Sequence, residues 1–337
     1  MPVNHSMTSW RISIMPHRSL SKSQYLKGIQ CPKRLWFSRY RRDLIPEIDA
    51  GTQARFDTGT EIGALAQQCF LEGAHVTNDY RDIEGACSST QDFIKQGYST
   101  IFEATAAHPV TGGYGRIDIL NKVDGEDAWD LIEVKSSTSV KNDHIPDIAF
   151  QYHVFNGAGY PIRGCYMMLI DNSYTRDGAV EPERLFYFKD VTQQVLVRQE
   201  QVEYWATQLG YVLERKREPE AEIGARCFDP FECEFRHHCW RNIPAYSIYS
   251  VLQNKKADDA VRRIKSYDIG NIPPERMPGG KKAIDIACYQ NNRTNIDTDA
   301  LQSFLDELSY PLYYLDYETV SHAIPIYDGT RPYQQIP

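Results

Sequence analysis

Between residues 111 and 137 the chain alternates apolar and polar positions twice, in "TGGYGRIDILNKV" and "AWDLIEVKSS", with "DGED" between them. Period two is the pattern of a strand with one buried face, and the intervening residues are turn formers, so the stretch predicts a β-hairpin. Upstream, "LSKSQYLKGIQ" has helical spacing and opens with a capping box, Ser21 as N-cap and Gln24 three residues on, with Leu20 and Tyr25 placed as a hydrophobic staple. Pro32 suits the first turn of a further helix, which leaves Cys31 at the junction. "ARFDTGTEIGALAQQCF" reads as another helix, softened by Gly59 and Gly63. After the hairpin, "NDHIPDIAFQYHVFNGAG" is a helix capped by Asn142 or Asp143, "RGCYMMLID" and "RLFYFKDV" are strands, and an amphipathic helix follows from Thr192 to Arg217. Helix, strand pair, helix, strand is the order of an α/β domain with a mixed sheet.

Beyond residue 242 the pattern weakens. Residues 243–297 are punctuated by Pro and Gly and read as a connecting segment with short helices. "DTDALQSFLDELSY" is then helical and "PLYYLDYET" strand-like, with Asp316 and Glu318 on one face. This predicts a disordered start over 1–17, a main domain over 18–242, the connecting segment, and the beginning of a further domain over 298–337.

Composition narrows the class. A chain of 337 residues that is 42% hydrophobic and 24% charged can bury one large core or two ordinary ones. Its apolar runs are strand-sized and its mean hydropathy is −0.51, so no membrane partner is expected. The first twenty residues lack a signal-peptide pattern, which makes a cytoplasmic location the expectation. Eight cysteines in a reducing compartment argue against a disulfide framework. Three of them, Cys227, Cys233 and Cys239, recur at intervals of six in "CFDPFECEFRHHCW" and read as a metal or redox site. The net charge of −8 does not favour a polyanionic partner, yet "KRLWFSRYRR" interleaves cations with aromatics. That composition suits phosphate contacts and base stacking, with Arg39, Arg41 and Arg42 as the candidates, although a helix with a solvated basic face has the same composition.

Chemistry collects on the hairpin. If residues 124–127 form the turn, Val123 faces Ala128 and Asp118 lies opposite Glu133, while Glu133 and Lys135 share a face. Converging carboxylates suit a hard divalent cation with oxygen ligands. A lysine beside it can hold a phosphate oxygen or orient a metal-activated water. An exposed hairpin face with an ordinary salt bridge is the alternative.

"GRIDIL" followed by "LIEVKSS" resembles the signature of the PD-(D/E)XK nucleases, and Gln151 in "AFQYHVF" stands where RecB-like members carry a glutamine. The resemblance implies a restriction-endonuclease-like α/β core with a mixed sheet flanked by helices. It also implies Mg²⁺- or Mn²⁺-dependent hydrolysis of DNA phosphodiesters, with Asp118, Glu133, Lys135 and Gln151 as the site. DNA repair or defence against foreign DNA is the setting it suggests. The iron-sulfur branch of these nucleases brackets its core with one cysteine before and three after. Cys31 in "GIQCPKRLWF" and Cys227, Cys233 and Cys239 match that arrangement, implying a 4Fe-4S cluster that joins the N- and C-terminal segments. Zinc remains open as the metal, with His237 or His238 able to replace a thiol. Relatives carry a metal-binding histidine on the early helix where this chain has Gly63. Glu103 in "IFEAT" can supply the missing ligand or be a surface strand position. The chain also resembles, over nearly its whole length from about Arg18, an uncharacterised bacterial family in which Asp316-Tyr317-Glu318 is like the first motif of a DEDD-type, RNase H-like exonuclease. The nineteen residues after Glu318 would leave that second site incomplete. Two functions follow: a metal-dependent DNA nuclease, or a non-catalytic nucleic-acid-binding or scaffold protein that keeps the fold.

Overall fold

The computed structural model describes residues 19–273 and 279–337; the expectation for residues 1–17 lies outside them. The chain divides into two units. One contains Arg42 and the described residues before it, Glu47–Pro219 and Ser321–Ile336; the other contains Asp43–Pro46, Glu220–Val320 and Pro337. The division after Pro219 falls earlier than the boundary expected at residue 242.

The first unit follows the predicted order. β1 (Leu20–Ser21) leads into α1 (Lys22–Gln30), α2 (Pro32–Tyr40), α3 (Ala50–Gln67), β2 (Ala74–His75) and α4 (Ile83–Lys95). Then come β3 (Thr100–Ala107), the hairpin strands β4 (Gly113–Lys122) and β5 (Trp129–Lys135), α5 (His144–Gly157) and β6 (Ile162–Ile170). A single turn α6 (Pro182–Leu185), β7 (Phe186–Asp190), α7 (Thr192–Leu196) and α8 (Gln199–Glu214) complete it. Among the described residues the strands make one mixed sheet in the order β2-β3-β4-β5-β6-β7, with β1 added to the start of β4.

Helices cover both faces of that sheet, and the strand sequences show why. Leu131, Met167 and Leu169 point to one side, where Phe150 and Val154 of α5 and Leu209 of α8 pack on them. Their neighbours Ile132, Met168 and Ile170 point to the other, against Ile62 and Ala66 of α3. A strand buried on both faces has no polar phase, which is why "CYMMLI" is continuously apolar.

The capping box forms as expected: the Ser21 N–H donates to Gln24 Oε1 at 3.0 Å and the Gln24 N–H to Ser21 Oγ at 3.1 Å. Cys31 is the N-cap of α2, with Pro32 at its first position. The hairpin register is the expected one. The Val123 N–H donates to the Ala128 carbonyl at 2.9 Å, Gly125 takes the left-handed turn position at φ +74°, and Ile119 pairs with Ile132 and Leu120 with Leu131.

Three elements differ from expectation. The helix expected from Thr192 to Arg217 is broken at Val197–Arg198, where the Arg198 N–H closes a tighter turn onto the Val195 carbonyl. The strand expected in "RLFYFKDV" begins two residues late, because α6 runs from Pro182 to Leu185 and strand pairing begins at Phe186. "PLYYLDYET" is not a strand: no strand among the described residues pairs with it, and Tyr313 and Tyr314 are each 90% exposed. Beyond it the chain returns to the first unit, where Ala323 and Ile324 join the core under α3 and Asp328 Oδ1 accepts from the Gly178 N–H at 2.9 Å.

The second unit contains α9 (Arg236–Cys239), α10 (Ile248–Val251), α11 (Asn254–Ile264), α12 (Lys281–Gln290) and α13 (Thr298–Asp306). Residues read as a connecting segment have a small core of their own, built from Ile248, Val251, Ala257, Ala260, Ile269 and Ile286. Asp258 braces it, its Oδ1 accepting from the Ala225 N–H at 2.9 Å and from the Tyr249 hydroxyl at 2.6 Å.

Candidate active site

Extending the β4–β5 register by one residue puts Asp118 opposite Glu133, and the Val134 N–H donates to Asp118 Oδ2 at 2.7 Å. Glu133 is only 2% exposed, yet its carboxylate is fully engaged. Its Oε1 accepts from Lys135 Nζ at 2.8 Å and from Lys22 Nζ at 2.9 Å, and its Oε2 from Gln151 Nε2 at 2.8 Å. Asp147 faces it from α5. Lys135 Nζ lies 2.5 Å from Asp147 Oδ2, and Asp147 Oδ1 lies 3.2 Å from Lys22 Nζ and 3.3 Å from Gln151 Nε2. The result is a ring of two carboxylates and two ammoniums with a fully buried amide above it.

Asp118, Glu133, Lys135 and Gln151 are thus brought together. Lys22 and Asp147 are the members that sequence reasoning missed. Asp147 was legible in principle, since it stands four residues before Gln151 on α5 and therefore shares its face. Lys22 was not. Its place depends on β1, two residues whose pairing of Leu20 with Gly113 and Ser21 with Tyr114 sets the start of α1 beside β4.

The site separates the behaviour of its two hairpin acids. Burial penalises the ionised form of Asp118 and the charge of Glu133 adds to that, so its carboxyl titrates well above the ordinary carboxylate range despite Lys22 and Lys135. Burial works against ionised Glu133 too, but Lys135 and Lys22, with hydrogen bonds from Lys135 and Gln151, outweigh it and hold it below that range. For both lysines burial favours the neutral form, and Glu133 and Asp147 override it, keeping the ammoniums charged.

A cleft of about 890 Å³ opens onto the site and is lined by Asp118, Glu133, Lys135, Glu103 and Arg116, with α3 as a further wall. The pairs Phe102–Ile119 and Ala104–Ile117 bracket Glu103 opposite Asp118. Glu103 has a left-handed backbone at φ +55°, a conformation that costs a non-glycine residue about 1–3 kcal/mol and so marks a position held by its surroundings. Burial raises its carboxyl, partly offset by Arg116 and His75. On α3, Gly59 and Gly63 line the same cleft, and a Cβ at either would meet nothing within 4 Å.

The carboxylates of this site suit a divalent cation. The donor set is right for a hard ion, and Gln151 Oε1 is buried with no hydrogen-bond partner among the described residues, an orphan acceptor beside two carboxylates. Lys22 and Lys135 provide the compensating charge meanwhile. Among the described residues no group of three or more His, Cys, Asp or Glu side chains is gathered to hold a metal ion.

Cys31 belongs to the first unit, and Cys227, Cys233 and Cys239 to the second. Cys227 and Cys233 are buried, and the Cys233 N–H donates to the Cys227 carbonyl at 2.9 Å. His237 Nδ1 pairs with the Glu234 carbonyl at 3.1 Å, and His238 Nε2 with Arg241 Nη1 at 3.2 Å, which leaves the other ring nitrogen of each outside those bonds. Among the described residues no helix is long and apolar enough to cross a membrane.

A family described as Domain of unknown function (DUF2779) matches residues 313–337. No curated protein matches the chain. Among solved structures, LHK-Exo in complex with dAMP is 14% identical over 58% of this chain and 88% of that one, with a TM-score of 0.34. The alkaline exonuclease LHK-Exo from Laribacter hongkongensis is 12% identical over 58% and 90%, with a TM-score of 0.26. SSO0001 is 11% identical over 56% and 76%, with a TM-score of 0.29. None of these superposes closely enough to assign the chemistry of this chain.

Proposed function

We propose that this protein is a metal-dependent nuclease that hydrolyses DNA phosphodiester bonds at the hairpin site. The observation that carries the reading is the buried Glu133, tied to Lys135, Lys22 and Gln151 and facing Asp118 at the edge of an open cleft. Two hairpin acids with opposite shifts suit a site that must hold a cation and manage a proton. Asp118, Glu133 and Glu103 would hold Mg²⁺ or Mn²⁺, which when bound supplies Lewis-acid polarisation of the phosphate and a more acidic water. Lys135 stays charged through pH 8 and offers its ammonium to the phosphate. Gln151 fixes the rotamer of Glu133 from behind. Asp118 holds or releases a proton according to the charge around it.

A second reading is favoured by the lysine pair. Lys22 and Lys135 already neutralise Glu133 and Asp147, as a nucleic-acid-binding protein without catalysis would also require. A 4Fe-4S cluster on Cys31, Cys227, Cys233 and Cys239 is a separate proposal, decided by iron analysis of anaerobically purified protein.

The test is cleavage of labelled single- and double-stranded DNA in Mg²⁺ or Mn²⁺. The parent should cut at least one substrate and be silenced by EDTA, and Glu133→Gln should fall to background while remaining folded by circular dichroism. Equal cleavage by parent and Glu133→Gln would place the chemistry elsewhere, and a folded parent that binds DNA without cutting it would select the second reading.

A further inference from the structure

A second groove, of about 820 Å³, lies in the first unit between the start of α1, the end of α2 and the start of α4. Lys22, Lys27, Arg39, Arg42, Arg81 and Arg116 line it against two acids, Asp82 and Glu84. Asp82 is already committed to α4 as its N-cap, accepting from the Gly85 N–H at 2.9 Å and from Asn78 Nδ2 at 2.9 Å. Arg39, Arg42 and Arg81 are exposed, and none of them is in an ion pair among the described residues. In a chain of net charge −8, such a concentration of cations in one concavity focuses a positive field there.

Two of the lining residues connect this groove to the carboxylate site. Arg116 lines both concavities, and Lys22 lines the groove while its Nζ lies 2.9 Å from Glu133 Oε1. The groove also presents aromatics. Tyr80 is 66% exposed, the Arg81 guanidinium stacks 5.1 Å from its ring centroid, and Tyr114 contributes a half-buried ring. Exposed rings beside arginines serve a strand whose bases are free to stack, and in a duplex those faces are occupied.

We infer that this groove is the track for a single nucleic-acid strand, whose phosphates lie along Arg39, Arg42 and Arg81 and which passes Lys22 and Arg116 into the carboxylate cleft. The inference rests on the nuclease reading for its direction, but the groove is tested by binding alone. Of the three arginines expected from sequence to contact phosphates, Arg39 and Arg42 line it and Arg41 does not.

The experiment is fluorescence anisotropy in EDTA with labelled oligothymidylate, oligouridylate and a blunt DNA duplex, over a range of salt. Parent protein should bind a single strand more tightly than the duplex, and the two oligomers identify whether the strand is DNA or RNA. The Arg39→Ala, Arg42→Ala, Arg81→Ala triple variant should weaken binding and reduce the slope of log affinity against log salt by about 2, at about 0.7 per lost phosphate contact. A charge-matched control, Lys95→Ala with Lys122→Ala and Lys189→Ala, should keep the parental slope. An unchanged slope in the arginine variant, an equal loss in the control, tighter duplex binding or no binding at all overturns the inference. Groove-dependent binding without cleavage in Mn²⁺ defeats only the nuclease reading; cleavage with groove-independent binding defeats only this one.

Discussion

Asp118 and Glu133 face each other across one register position, yet their contributions to stability run in opposite directions with pH. Glu133 titrates below its unfolded range, so the stability it gives is complete above about pH 4.3, the unfolded value, and is lost as pH falls toward the folded one. Asp118 titrates above its unfolded range. Between about pH 3.9 and its raised value the folded protein keeps a proton that the unfolded chain has released, so stability falls as pH rises through that window. Asp118→Asn retains an acceptor for the Val134 N–H and removes the titration. In EDTA the variant should melt a few degrees above the parent at pH 8 and level with it at pH 4, as followed by circular dichroism. A parental melting profile across the whole range would show that Asp118 is not held in its neutral form. At this scale the sequence was informative wherever chemistry followed from register, as for Asp118, Glu133 and Lys135. It was silent on Lys22, whose side chain reaches a residue 111 positions away.

Elements whose pattern is local were legible: the hairpin with its turn at 124–127, the capping box at Ser21, and α5 carrying Gln151. Those that depend on a distant partner were not. A two-residue strand such as β1 has too few positions to show a period, and "PLYYLDYET" has strand composition but no neighbour to pair with. The break between α7 and α8 lies inside an unbroken amphipathic pattern and shows only as a tightened turn. The packing of α1 on α8 is a similar long-range fact, and it explains Gly28. A Cβ there would come within 2.5 Å of Leu209 Cδ1, so glycine lets the two helices approach closely. Gly28→Ala gains helix propensity and loses fit. Overpacking of this kind costs about 1–3 kcal/mol against about 1 kcal/mol of propensity, so urea denaturation should show a net loss. Leu209→Ala in the same chain should recover part of it, and strictly additive effects would mean that the contact is not the cause.

For the whole molecule, the first unit carries the candidate chemistry and its groove, while the second is built on a separate small core. Composition left one large core or two ordinary ones open and gave no sign of the return of residues 321–336 to the first unit, because that return uses a few contacts, such as Arg176 Nη1 to the Pro325 carbonyl at 2.8 Å, rather than a periodic pattern. The mixed sheet with helices on both faces brings a lysine from a strand and a lysine from the first helix onto one carboxylate. In the proposed mechanism the strand lysine, Lys135, serves the phosphate, and metal binding falls to the acids. The most direct measurement is the single-turnover rate of DNA cleavage in Mn²⁺ by parent and Lys135→Ala, with Mn²⁺ affinity measured on the same preparations by calorimetry. The expected result is Mn²⁺ binding close to that of the parent with cleavage slower by about 10²-fold or more, the scale for removing one preorganised charge from a transition state. Cleavage by Lys135→Ala at the parental rate would contradict the account.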